Sequence, residues 1–217
     1  MMLVIFDCDG VLVDSEPLAA RVFAEHLGKF GVFLTASECE AKFRGHTMEY
    51  CLSVLHTEYP GTLPHDFLDS LAWATQEAFG KDLRPVRGVE RVLQWLQAQG
   101  VPFCVASNGA LGKVWHSLEV TGLRSYFGDY CFSAEQVKHG KPHPDLFLFA
   151  ARAMAADAAQ TLVIEDSIAG VTAAMRAEMK VLRYGLPLHV EQWRVSSFTE
   201  MDKLPYLIEV AFNLRGD

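Results

Sequence analysis

Two aspartates one residue apart, Asp7 and Asp9, stand directly after a short apolar run from Leu3 to Phe6, and Gly10 follows them. Side chains alternate along an extended backbone, so two carboxylates flanking one residue point roughly the same way. One of them can attack or bind a metal while the other handles a proton. Gly10 lets the chain turn away sharply and leaves amides free to approach an anion. A solvated aspartate-rich turn carries the same signature, because Asp and Gly are common turn residues. Three further stretches bear on the choice. Residues 103–106 run into Ser107, Asn108 and Gly109; Gly140, Lys141, Pro142 and His143 form a lysine loop; residues 162–164 lead into Glu165, Asp166 and Ser167. A hydroxyl, a lysine and a second acidic pair are the parts phosphoryl transfer requires: a nucleophile, carboxylates to hold a metal, and donors for the phosphoryl oxygens.

Each of these groups needs a strand to deliver it. The runs at 3–6, 103–106 and 162–164 read as buried strands, with a shorter one at 130–133 and a final core strand at 180–183. Helical spacing fills the gaps between them, at 89–100, 110–120, 144–155, 167–178 and 205–213. Strands alternating with helices imply a parallel, doubly wound α/β sheet. The alternation is broken once. Between Asp14 and Pro85 four helices are expected, at about 16–30, 36–44, 47–59 and 64–79, with Thr35 and Glu38 spaced as a capping box. Asp14 is placed to cap the first of them. The chain therefore divides into an α/β core, residues 1–14 and 85–217, and an inserted helical domain, residues 15–84.

In this order and context the four stretches resemble the motifs of the haloacid dehalogenase superfamily, over the whole chain. The resemblance implies a Rossmann-like core with a helical cap, and a Mg²⁺-dependent phosphatase working through an aspartyl-phosphate. On that pattern Asp7 is the nucleophile and Asp9 the general acid, then the base that activates water. Ser107 and nearby amides, that of Gly10 included, bind the phosphoryl oxygens, Asn108 is an orienting donor to the substrate, and Lys141 supplies positive charge. Mg²⁺ is held by Asp7, the backbone carbonyl of Asp9, and Asp166; Glu165 either ligates it, directly or through water, or orients its neighbours. For Ser107 and Lys141 the plain alternatives are a helix cap and a surface lysine. Arg44, in a Phe43-Arg44-Gly45 loop, is expected to touch substrate; its alternative is a solvated helix end.

The branch matters. Dehalogenases and phosphonatases of that superfamily lack an acid at the position of Asp9. Its β-phosphoglucomutases share Asp9-Gly10-Val11, but carry a cap histidine where this chain has Ala19 and a cap arginine at about Met48. The set Ser107-Asn108-Gly109, Lys113, Ser117-Leu118 and Phe43-Arg44-Gly45 is more similar to the 6-phosphogluconate phosphatase type. Hydrolysis of small sugar or sugar-acid phosphates is therefore expected, with mutase-type transfer as the alternative. A receiver module uses a similar aspartate, hydroxyl and lysine, but is shorter and needs no acid two residues on; a non-catalytic phosphate binder would be expected to have lost Asp7 or Asp9.

Composition bounds the partners. Half of the 217 residues are apolar and the formal net charge is −8, which disfavours a sequence-independent nucleic-acid binder. Five cysteines, at 8, 39, 51, 104 and 131, show no metal-type spacing and an odd count, so reduced thiols in the cytoplasm are expected. No apolar run has the length of a membrane span, and the stretch before Asp7 is too short for a signal peptide. The expected partner is a small phosphorylated metabolite, and the protein is expected to be a monomer. His139 and His143 are expected to be surface, turn or helix-start residues, and the four tryptophans core or packing residues.

Overall fold

The computed structural model describes residues 2–43, 48–186 and 195–213. Their chain folds into two compact units, one of residues 1–13 and 85–217 and the other of residues 14–84.

The first unit is built on six parallel strands: β1 (Leu3–Phe6), β2 (Phe103–Ser107), β3 (Cys131–Ser133), β4 (Thr161–Glu165), β5 (Lys180–Tyr184) and β6 (Ser196–Phe198), in the order β3-β2-β1-β4-β5-β6. This is the doubly wound arrangement, whose strand order reverses beside β1. β1 pairs with β2 through Val4–Phe103 and with β4 through Val4–Leu162, so it lies inside the sheet. All four of its side chains are buried, as a strand covered on both faces requires. Leu3 and Ile5 join Cys104, Leu146, Phe147 and Ala173 in one hydrophobic cluster. On the alternate positions, Phe6 meets Phe103 edge-on at 6.4 Å, and Phe103 meets Phe127 at 5.4 Å. Each such fully buried side chain contributes about 1.5–3 kcal/mol of transfer free energy.

Helices α5 (Val89–Ala98), α6 (Leu111–Val120), α7 (Arg124–Phe127), α8 (Asp145–Ala153), α9 (Ile168–Arg176) and α10 (Leu204–Ala211) belong to this unit. Its elements differ from the sequence expectation in two places. β6 is an additional strand, and it is polar for two of its three residues, so no apolar run announces it. α7 is a single four-residue turn, too short to show a period.

The second unit holds α1 (Ser15–Gly28), α2 (Ala36–Phe43), α3 (Met48–Glu58) and α4 (Phe67–Asp82). Asp14 occupies the N-cap position of α1, but its side chain makes no capping bond. The capping box at α2 is formed: the Thr35 amide donates to Glu38 Oε2 at 2.7 Å and the Glu38 amide to Thr35 Oγ1 at 3.2 Å. α4 begins and ends three residues later than expected. Pro64 to Phe67 is a turn, closed by the Phe67 amide on the Pro64 carbonyl at 3.2 Å. The helix then continues through Gly80 until Leu83 turns extended, ahead of Pro85. Trp73 departs from its expected packing role, being 66% exposed.

Aromatic rings fill the core of this unit, with Phe23, Phe30, Phe43 and Phe67 in mutual edge or tilted contact. His26 sits among them, 4% exposed, its ring 5.2 Å from that of Phe67 and its Nε2 2.9 Å from Ser70 Oγ. The Ser70 hydroxyl donates to the Phe67 carbonyl, so Nε2 carries the proton, and Nδ1 is buried without a hydrogen-bond partner among the described residues. Burial, with the Lys29 charge adding to it, lowers the His26 pKa below its ordinary 6.5. The unfolded chain then takes up a proton near pH 6.5 while the folded unit resists until lower pH. The stability this supplies is full above pH 6.5 and is lost as pH falls below it. Thermal melting at pH 7.5 and pH 5.5 should show that loss, and His26→Leu should flatten it; an unchanged slope would contradict the assignment.

Candidate active site

The carboxyl ends of β2, β1 and β4, three neighbours in the sheet, carry the groups the sequence singled out. Asp7 follows β1, its amide donating to the Ile164 carbonyl at 3.0 Å and so extending the ladder to β4. Ser107 ends β2, Glu165 ends β4, and Asp166 follows it. In open α/β sheets ligands bind outside these strand ends, at the place where strand order reverses.

Lys141 reaches in from the loop between β3 and α8. Its side chain is 3% exposed, and its ammonium donates to Asp7 Oδ1 at 2.5 Å and to Glu165 Oε1 at 2.8 Å. It is no surface lysine. Asn108 fixes the loop by a two-way clamp on the Lys141 backbone: its Oδ1 accepts from the amide at 2.8 Å and its Nδ2 donates to the carbonyl at 3.0 Å. Arg176 of α9 also donates to the Pro142 carbonyl at 2.9 Å. Both ends of the Asn108 amide are thus engaged, so it orients the lysine and is not an open donor to substrate.

Ser107 Oγ accepts from the Gly109 amide at 3.1 Å, which leaves its hydroxyl proton to donate elsewhere. It does not cap α6, whose N-cap is Ala110. Gly10 also differs from expectation. Its amide donates to the Val13 carbonyl at 2.9 Å and so is not free for an anion. Its importance is space: φ is +80°, and a Cβ there would lie 2.4 Å from Asp166 Oδ2. Gly170 serves Glu165 in the same way, since a Cβ on that residue would lie 1.7 Å from Glu165 Oε1. The other Glu165 oxygen accepts from the Ser167 amide at 2.7 Å and its hydroxyl at 2.9 Å.

Ligand oxygens of Asp7, Glu165 and Asp166 all lie within 4.8 Å of one another. Burial raises the Asp7 pKa well above the ordinary carboxylate range; Lys141 opposes that, and the Glu165 and Asp166 charges add to it. Burial works to lower the Lys141 pKa, but Asp7 and Glu165 outweigh it and hold the ammonium charged. Three carboxylates around one ammonium are short of positive charge. A hard divalent cation with oxygen ligands fits that donor set. Asp7, Glu165 and Asp166 are the carboxylates placed to hold it, and Glu165 is tied to protein donors on both oxygens, Lys141 on one and Ser167 on the other.

Asp9 lies beside this cluster and has a partner that the sequence analysis did not assign a role. Lys113, in the first turn of α6, donates to Asp9 Oδ2 at 2.9 Å. Burial acts to lower the Lys113 pKa, but the Asp9 charge and hydrogen bond outweigh it and raise the pKa overall. The signal was a lysine six residues after Ser107 in a helix opening toward the strand ends. Asp9 Oδ1 is buried with no hydrogen-bond partner among the described residues.

The remaining candidates lie apart or are inert. Cys8 is buried, and burial, then the Asp9 and Asp7 charges, push its thiol pKa well up. All five cysteines are free and buried. His139 and His143 stack at 4.7 Å on the exposed side of the lysine loop, with His139 Nδ1 3.1 Å from Asp145 Oδ2. Arg44 and Trp193 lie outside the described residues. Ala19 and Met48 line a cavity of about 300 Å³ within the helical unit, with Phe23, Cys39, Phe43 and Cys51. Among the described residues no helix is long and apolar enough to cross a membrane.

Residues 1–178 match the family model of haloacid dehalogenase-like hydrolases. The chain belongs to that family. A 6-phosphogluconate phosphatase of Escherichia coli (strain K12) is 30% identical over 208 residues, covering 94% of this chain and 93% of that protein. A fructose-1-phosphate phosphatase of the same organism is 29% identical over 175 residues, 81% of this chain and 92% of that one. A solved family hydrolase from Deinococcus radiodurans R1, with bound phosphate and sodium, superposes with a TM-score of 0.85 at 30% identity, covering 96% of this chain and 95% of that one.

Gly170→Ala separates space from helix propensity in this hydrolase. Alanine favours a helix interior by about 1 kcal/mol, yet its methyl must drive Glu165 off Lys141. The variant should fold but bind Mg²⁺ or Mn²⁺ about 10–100-fold more weakly, measured by titration calorimetry. Unchanged affinity would show that the placement of Glu165 does not govern the site.

Proposed function

We propose that this hydrolase, a phosphoric monoester hydrolase, releases phosphate from small sugar or sugar-acid phosphates through a phospho-Asp7 intermediate. The observation that carries the reading is the buried contact of Lys141 with Asp7 and Glu165, beside Asp166. An aspartate held by an ammonium at the end of a central strand is a positioned, oriented nucleophile.

Asp7 attacks phosphorus in line while the ester oxygen departs. Asp9 gives that oxygen a proton through Oδ1, the oxygen Lys113 does not hold, then withdraws a proton from the water that cleaves phospho-Asp7. The Ser107 hydroxyl and the third N–H of the Lys141 ammonium donate to the phosphoryl oxygens. Asp7, Asp166 and the carbonyl of Asp9 would hold Mg²⁺, which when bound supplies the charge that lets an anionic nucleophile approach a phosphate. Glu165 keeps Lys141 in place, and the helical unit, residues 14–84, is read as the family's cap domain.

The similarity to phosphatases of 6-phosphogluconate and fructose 1-phosphate supports the substrate class. Ala19 supports hydrolysis over mutase transfer, since a methyl cannot exchange protons.

Phosphate release from a panel of sugar phosphates with Mg²⁺ should be strong for a few members. Asp7→Asn should abolish it, and Asp9→Ala should lower it about 10²–10⁴-fold. An active Asp7→Asn would remove Asp7 as nucleophile. Conversion of β-glucose 1-phosphate to glucose 6-phosphate without phosphate release would make the protein a mutase.

A further inference from the structure

The two lysines at the strand ends are held very differently. Lys141 is shut in, its side chain 3% exposed and its ammonium on Asp7 and Glu165. The Lys113 side chain is 47% exposed and that of Asp9, which it meets, 28% exposed. Lys113 therefore meets solvent where Lys141 does not. An ammonium has three donors, so it can also keep Asp9 while accepting a second anion.

Its position says which anion. On the proposed function, Asp9 meets the oxygen that leaves phosphorus, so a cation on Asp9 stands beside the leaving group rather than the phosphoryl group. Asp7, Glu165 and Asp166 cluster here and Asp9 follows on the same chain end, so with a phosphoryl dianion bound the negative charges outnumber those of Lys113, Lys141 and the divalent cation the cluster would hold. A neutral leaving group is indifferent to that negative field. One bearing its own carboxylate is repelled by it, unless a cation is held on that side.

We propose that Lys113 is a specificity-determining residue that binds a carboxylate on the leaving group, so that the preferred substrates are phosphate monoesters of hydroxy acids rather than of neutral polyols. This rests on the phosphatase reading above and assigns its selectivity to the core unit, at the start of α6.

The test is a matched pair, 6-phosphogluconate and sorbitol 6-phosphate, which differ in a carboxylate against a hydroxymethyl group. Wild type should prefer the acid in kcat/KM. Lys113→Met should shrink that preference about 10–100-fold, the range of a lost charge-assisted hydrogen bond, chiefly through KM. Lys113→Arg should keep most of it, and added salt should erode it in wild type. Any effect of Lys113 exerted through Asp9 is common to both substrates and cancels in the ratio. An unchanged ratio, whether from equal losses on the two substrates or from none, would overturn the proposal, as would an active wild type without preference for the acid; each leaves the phosphatase reading standing. A wild type silent on every phosphate monoester would overturn both.

Discussion

The structure depends on one buried ammonium. Lys141 lies between Asp7 and Glu165 at the ends of two adjacent central strands. Taking such ions out of water costs several kcal/mol each, and their attraction offsets this only when geometry and further hydrogen bonds are good. Much of the surrounding chain supplies that geometry. Asn108 clamps the Lys141 backbone from β2, Arg176 holds the next carbonyl from α9, and Ser167 satisfies the far oxygen of Glu165. Gly10 and Gly170 contribute by lacking a side chain, one under Asp166 and the other under Glu165. Residues far apart in sequence are tied to one charge.

That view also explains the order of the strands. β1 lies between β2 and β4, so the hydroxyl of Ser107, the carboxylate of Asp7 and the acidic pair at 165–166 arrive at three neighbouring strand ends. A connection that moved any of these strands to the edge would separate the groups. The helical unit is packed on a different principle. Its own core is aromatic, and it keeps a buried histidine whose Nδ1 has no hydrogen-bond partner among the described residues.

The central strands and their following helices were legible because their side chains are buried on both faces and read as unbroken apolar runs. β6 was not, since an edge strand of Ser196, Ser197 and Phe198 carries no such run. The residues that meet at Asp7 were legible as types following strands, but their duties were not. Asn108 and Gly10 looked like donors to an anion, and their hydrogen-bonding groups are used within the protein. Which donor meets which acceptor depends on loop paths, and a loop path leaves no period in a sequence. Lys113 shows the same limit from the other side. It was legible as part of a motif-like set, but its partner was not, since the fold is what turns it onto Asp9.

The central claim is that Asp7 takes the phosphoryl group. It is tested most directly by mixing the protein with Mg²⁺ and a turned-over sugar phosphate, quenching in acid within the first turnover, and mapping phosphorylated peptides by mass spectrometry. Phosphate on Asp7, absent in Asp7→Asn and accumulating in Asp9→Ala, is the expected result. Turnover with no phosphorylated peptide, or with the label on Ser107, would contradict the account.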